Sequence, residues 1–215
     1  MAKILMADSI YLLNKYNSSL CVKVPHYLAA QYLGAFLASG AVFLVYWDAL
    51  VWYEHDRGGY RVTPDTAAIF GTYPGHHLTL WGGVGDQVVG TGLLLLCVCA
   101  ITDRNNMRVS KQLIPLFVGL TILAIGVCFG YNCGYAINPA RDFAPRLFSG
   151  EFPPPHRVTI LCLLALTGWG LDVFTYSYHW WLVPIIATHA GAILGAWLYY
   201  LAIGKNHIIQ TFKSD

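Results

Sequence analysis

The stretch GYAINPARDFAPRLF, residues 134–148, sets an Asn, two Pro, two Arg and an Asp inside an otherwise very apolar chain. Across all 215 residues only 11% are charged and 56% are hydrophobic, and mean hydropathy is +0.51. Soluble domains carry roughly 25% charge. So little charge would not keep a soluble fold of this length in solution. The seven Trp and fourteen Tyr suit a protein with two bilayer interfaces, where amphipathic rings collect. A net charge of +2 singles out no nucleic-acid or acidic partner. The composition therefore predicts an all-α membrane protein.

Crossing about 30 Å of hydrocarbon takes about 20 residues. Working outward from the opening stretch, four segments qualify: 26–47, 85–102, 112–131 and 180–204. The apolar residues after Asn138 and the run VTILCLLAL (158–166) are too short to cross, and read as re-entrant, interfacial or locally buried. MAKILMADSIYLLNKYN at the N-terminus is interrupted by Asp8, so no cleavable signal peptide is expected. Lys3, Lys15 and Lys23 precede the first span, and Arg104, Arg108 and Lys111 follow the second. Those ends are expected to be cytoplasmic, since basic residues concentrate on that face. The loop 48–84 has Arg57 and Arg61 against four acids, and Lys205 and Lys213 follow the last span. Both termini are then cytoplasmic, and the sequon Asn17-Ser18-Ser19 goes unused.

The opening stretch follows the third span at the outer side, and the fourth span must start there too. Its apolar residues therefore enter and return. Asn138 is a good helix cap and Pro139 a good first helical residue. A helix over 139–148 is roughly 15 Å long, half a bilayer. Its N-terminus, carrying unpaired N–H groups and positive partial charge, would sit near the midplane. Such a terminus repels cations and protons and offers donors to water or a neutral hydroxyl. Arg141 adds a fixed charge to the same lining. Asp142 and Arg146 are spaced to pair along the helix; the alternative for both Arg residues is snorkelling to the outer interface.

On these residues the chain resembles the aquaporin (major intrinsic protein) family, whose second signature box looks like NPARDFAPRLF. TYPGHH (72–77), GDQVVGTG (85–92), GWGLDVFTY (168–176) and HWWLVPI (179–185) extend the likeness over most of 22–204. The match is to the glycerol-conducting aquaglyceroporin branch, in which an Asp follows the box Arg (here Asp142), a basic residue stands four further on (Arg146), and a Pro with an aliphatic opens the last span (Pro184, Ile185). The resemblance implies a pore lined by the box residues Asn138, Pro139 and Ala140, with a filter made of Arg141, Gly126 and Tyr135. Gly126 would widen the constriction for a polyol; its alternative role is helix packing. Tyr135 and Arg141 would face the carbon and hydroxyl edges of glycerol. Gln87 resembles a buried position bracing the re-entrant loops, and a buried amide calls for a backbone partner.

Family members carry two inverted halves, each with a box, and this sequence has one box. GAFL (34–37) and GAIL (191–194) hint at the repeat. The expected fold is thus an aquaporin-like bundle of four spans plus one re-entrant half-helix, truncated relative to the six-span family fold. Residues 1–21 form a cytoplasmic segment without family match, 22–204 the truncated transmembrane domain with 84–204 as a complete second repeat, and 205–215 a cytoplasmic tail. Phe148 to Gly168 is longer than the family pattern, Ala144 replaces a usual Gly, and His189 stands in the last span, where a hydrogen-bonded packing residue is expected and a sensor is the alternative.

The resemblance implies a passive channel for glycerol, water and other small neutral solutes, placed in the plasma membrane, with no cofactor or metal. Its partners would be the lipid bilayer and either a homotetramer or full-length channel subunits, not nucleic acid. The alternative is a nonconducting truncated or splice-derived membrane protein that associates with such subunits. With one half-helix, the chain alone is expected to give little selective flux. GVGD (83–86) matches the GxGD pattern of intramembrane aspartyl proteases, whose chemistry needs two carboxylates sharing a proton. Asp86 is expected at a helix start and no charge is expected inside a span, so neither an enzyme nor an ion-coupled transporter follows.

Overall fold

The computed structural model describes residues 2–56, 64–151 and 172–204, all of whose regular structure is helical. Among these residues eight α-helices run in the order α1 (Ala2–Val45), α2 (Trp47–Asp56), α3 (Pro64–Ala67), α4 (Leu80–Thr102), α5 (Ile114–Cys133), α6 (Pro139–Glu151), α7 (Asp172–His179) and α8 (Leu182–Tyr199), and a π-helical turn over Tyr200–Gly204 extends the last. Four stretches are long and apolar enough to cross a membrane: Lys23–Val45, Leu80–Thr102, Ile114–Cys133 and Leu182–Gly204. These are the four expected spans. VTILCLLAL, Lys205, Lys213 and the start of GWGLDVFTY lie outside the described residues.

Most boundaries fall within two or three residues of expectation, and two helix starts differ by more. The helix of the first span begins at Ala2 and passes through Pro25 without ending. The second starts at Leu80, five residues before the expected 85, because Thr79 caps it: its hydroxyl accepts from the Gly82 N–H at 3.1 Å. Gly82, Gly83 and Gly85 weaken the local helical signal there, and the cap offsets them.

Helices α4 and α8 form the tightest pair. A side chain at Gly191 or Gly195 would overlap the α4 backbone at Val88 or Gly92, so the two backbones meet directly. Small residues permit this approach where lipid offers no hydrophobic drive for helices to associate. Helix α5 lies on α4, and α6 packs on α1. In the second contact Phe36, Phe43 and Phe70 surround Phe148 with ring centroids 5.5–5.8 Å apart. Helix α6 has thirteen residues, three more than expected, and at about 1.5 Å per residue it is still too short to cross a bilayer.

Candidate functional site: the capped half-helix and its supports

Helix α5 ends at Gly134, whose left-handed backbone (φ 74°) turns the chain back, its N–H donating to Gly130 O at 3.0 Å. Tyr135 and Ile137 follow with φ 40° each. Left-handed backbone is unusual for residues with side chains, and most unusual for a β-branched one. Each such residue costs on the order of 1–3 kcal/mol and persists only where its surroundings hold it. The holding group is Gln87 on α4, fully buried, whose Oε1 accepts from the Ile137 N–H at 2.9 Å. This is the backbone partner expected of that amide.

Asn138 caps α6 as anticipated. Its Oδ1 accepts from the Ala140 N–H at 2.9 Å and from the Arg141 N–H at 3.3 Å. Its carbonyl accepts the first helical bond, from Asp142 N–H. Two of the orphan donors of the helix end are thereby satisfied, while the Nδ2 amide has no partner among the described residues. Pro139 is half-buried, Ala140 is buried, and Arg141 is exposed beside the cap. Gly126 faces the Tyr135 ring: a Cβ there would stand 3.0 Å from two ring carbons. Tyr135 therefore occupies the space that Gly126 leaves on α5, while Arg141 stands in the first turn of α6.

Asp142 and Arg146 lie on the opposite, fully buried side of α6, which removes the snorkelling alternative for Arg146. Arg146 Nε donates to Asp142 Oδ1 at 3.1 Å and Nη1 to Val173 O at 2.7 Å, and Nη2 reaches Thr72 O. The guanidinium also lies 4.4 Å from the centroid of the Tyr73 ring. Asp142 Oδ2 accepts from the Thr72 N–H at 2.7 Å and from the Thr72 hydroxyl. This clamp ties α6 to the loop before α4 and to α7. Burial pushes the Tyr73 hydroxyl above its ordinary pKa, with the Arg146 charge acting the other way. On α8, Pro184 is fully buried and Ile185 half-buried. His189 Nδ1 lies 2.7 Å from Ile185 O, so it is hydrogen-bonded as expected, but the side chain is exposed rather than packed.

Asp86 corrects the sequence reading. It is the seventh residue of α4, not its start, and is buried within a span. The early Thr79 cap accounts for the shift. Its Oδ1 accepts from Asn132 Nδ2 at 2.7 Å, and its Oδ2 is within 3.2 Å of both Gln87 Nε2 and Cys133 Sγ. Hydrogen-bond donors thus surround both oxygens. His77 Nε2 stands 3.3 Å from Asn132 Oδ1, and its ring stacks on Tyr131. Asn132, Cys133 and Thr72 were not singled out from sequence; the adjacent Asp86-Gln87 pair in an apolar run was the available signal.

The profile of the major intrinsic protein family matches residues 13–199. The chain is 43% identical over 188 residues to aquaporin-10 of Homo sapiens, covering 86% of this chain and 57% of that protein. It is 40% identical over 182 residues to aquaporin-3 of Milnesium tardigradum, covering 84% and 51%, and 40% identical over 185 residues to aquaporin-9 of Mus musculus, covering 86% and 58%. It therefore spans about half to three-fifths of the length of these relatives. The X-ray structure of the aquaglyceroporin from Plasmodium falciparum superposes with TM-score 0.64 at 28% identity, covering 84% of this chain and 64% of that one. All these relatives are channel-family proteins, which sets aside the enzyme suggested by GVGD.

Proposed function

Because this chain belongs to the major intrinsic protein family, on its aquaglyceroporin branch, we propose that it forms the wall of a passive conduit for glycerol, water and other small neutral solutes. One observation carries the reading: α6 begins at a capped, solvent-accessible N-terminus, with the Asn138 Nδ2 amide and Arg141 both exposed beside it. The positive end of the helix and the guanidinium repel cations and protons. The same groups donate hydrogen bonds to a hydroxyl or a water. The Tyr135 ring, set against Gly126, supplies an apolar wall for the carbon edge of a polyol, and the absent Gly126 side chain keeps that wall back. Asp142, Arg146 and Gln87 hold the geometry without meeting solute. The distribution of Lys and Arg supports cytoplasmic termini.

A second reading is favoured by a different observation. Among the described residues there is one capped half-helix, so the loop 134–138 has no inverted counterpart facing it. On that reading the 215-residue chain conducts little by itself and joins full-length subunits, in a tetramer of the family kind. Stopped-flow shrinkage of liposomes holding the purified chain separates the two. Glycerol uptake well above empty vesicles, reduced by Arg141→Ala, supports autonomous conduction. Uptake at the empty-vesicle level with a correctly folded chain supports the second reading and rejects the first.

A further inference from the structure

The loop between α4 and α5, residues 103–113, is folded tightly and carries charge that the pore does not use. Asp103 organises it. Its backbone N–H donates to Cys99 O at 2.9 Å, and its Oδ1 accepts from the Asn105 N–H at 2.8 Å. Its Oδ2 accepts from the Tyr199 hydroxyl at 2.7 Å, which ties the loop to the last turn of α8. Asn106 adds a bond to Ala100 O, and the Leu113 N–H donates to Ser110 O at 2.9 Å. Asp103 is the loop's sole acid, and both its oxygens already accept hydrogen bonds. Arg104, Arg108 and Lys111 are all exposed, and none has an ion pair among the described residues. Met107, set among them, is 62% exposed.

We propose that this loop is a binding site for the head group of an anionic phospholipid, with the three cations on the phosphate and carboxylate and Met107 among the upper acyl carbons. Location commits it to lipid. Folded back on itself and tied to the end of α8, the eleven-residue loop keeps these side chains close to the head-group layer, where cations meet the surface charge of the leaflet. A soluble acidic partner would match the cations but leave the methionine unexplained. Lipid accounts for both, because a long apolar side chain flanked by basic ones is what sits at the boundary of head groups and acyl chains. That surface charge belongs to the cytoplasmic leaflet, the side on which the basic residues put this loop.

Each cation near such a surface contributes about fivefold in affinity, and three together on the order of a hundredfold. The test titrates fluorescent phosphatidylserine or phosphatidylcholine into the full chain held in neutral detergent. Phosphatidylserine is expected to bind more tightly, and Arg104→Gln/Arg108→Gln/Lys111→Gln to remove about a hundredfold of that affinity. Ser110→Asp, which adds a carboxylate without deleting a cation, guards against a triple variant that fails to fold and is expected to weaken binding severalfold. Lys23→Gln, at the start of the first span, is expected to change it little. Met107→Ser is expected to weaken lipid binding, whereas a soluble source of the same chemistry would ignore it and be displaced by inorganic phosphate. The proposal fails if the two lipids bind alike, as they would if a soluble acidic protein were the occupant. It fails equally if Lys23→Gln costs as much as Arg108→Gln, or if phosphate alone displaces the lipid.

Discussion

Removing one charge from the clamp behind α6 is the sharpest test of how the half-helix is held. Asp142 and Arg146 have no exposed side-chain surface. Asp142 accepts from Arg146 Nε, from the Thr72 N–H and from the Thr72 hydroxyl. In Asp142→Asn one of the two acceptor oxygens becomes an NH2 group that points donors at donors. Arg146 then keeps its full charge with only neutral groups against it: the remaining amide oxygen, Thr72 O, Val173 O and the Tyr73 ring. Breaking a buried pair on one side costs about 3–5 kcal/mol. At about 2–4 °C per kcal/mol for a chain of this size, the midpoint should fall by roughly 6–20 °C. Thermal unfolding in detergent, followed by Trp fluorescence, reads this directly. Asp142→Leu/Arg146→Met removes both charges, and should recover part of the loss, because no uncompensated ion stays buried. Recovery should be incomplete, since the Thr72 N–H still lacks its acceptor, at about 1–3 kcal/mol. An Asp142→Asn midpoint equal to that of the parent, or a double variant less stable than the single, would refute the reasoning.

Three further outcomes follow from other contacts. Gln87→Leu strands the buried Ile137 N–H and should cost about 1–3 kcal/mol, seen as faster amide exchange at residues 134–138 with α8 protection unchanged. Gly195→Ala sets a Cβ against the Gly92 backbone and must part α4 from α8. An overpacked contact of this kind costs about 1–3 kcal/mol, measurable as a lower midpoint in the same thermal assay. Gly126→Val brings its Cβ to 3.0 Å from the Tyr135 ring and pushes the ring across the opening. In liposomes of conducting protein, glycerol flux should then fall more than water flux.

The parts of this structure that depend on local chemistry were legible in the sequence. Length and apolarity mark the four spans, and Asn138 followed by Pro139 marks a helix start whose cap bonds are present at Ala140 and Arg141. The spacing of Asp142 and Arg146 marks their pairing. What pattern could not supply is where the remaining lone pairs and donors go. Thr72 is seventy residues from Asp142, and Val173 twenty-seven from Arg146, so no window of periodicity contains both partners. Asp86 was misplaced for a related reason. Glycines at 82, 83 and 85 look like a break, and only the hydroxyl of Thr79 reveals that the helix is already running.

The strained loop and the clamp together explain how α6 keeps its position. Tyr135 and Ile137 occupy left-handed backbone, a conformation that would relax if α6 merely rested against its neighbours. Three ties oppose this. Gln87 takes the Ile137 N–H from the α4 side, the Asp142–Arg146 clamp grips Thr72 and Val173, and Phe148 is wedged among Phe36, Phe43 and Phe70. The first tie is the one nearest to Tyr135, whereas Arg141 lies in α6 beside the clamp residue Asp142. The position of Tyr135 is therefore set from α4, while that of Arg141 is set by α6 and its clamp. A substitution at Gln87 should alter solute preference without touching solute, whereas one at Phe148 should lower stability and leave preference alone. If both lowered flux in equal proportion for glycerol and water, the filter would be positioned by α6 as a rigid rod, and the strain at Tyr135 and Ile137 would have no functional part.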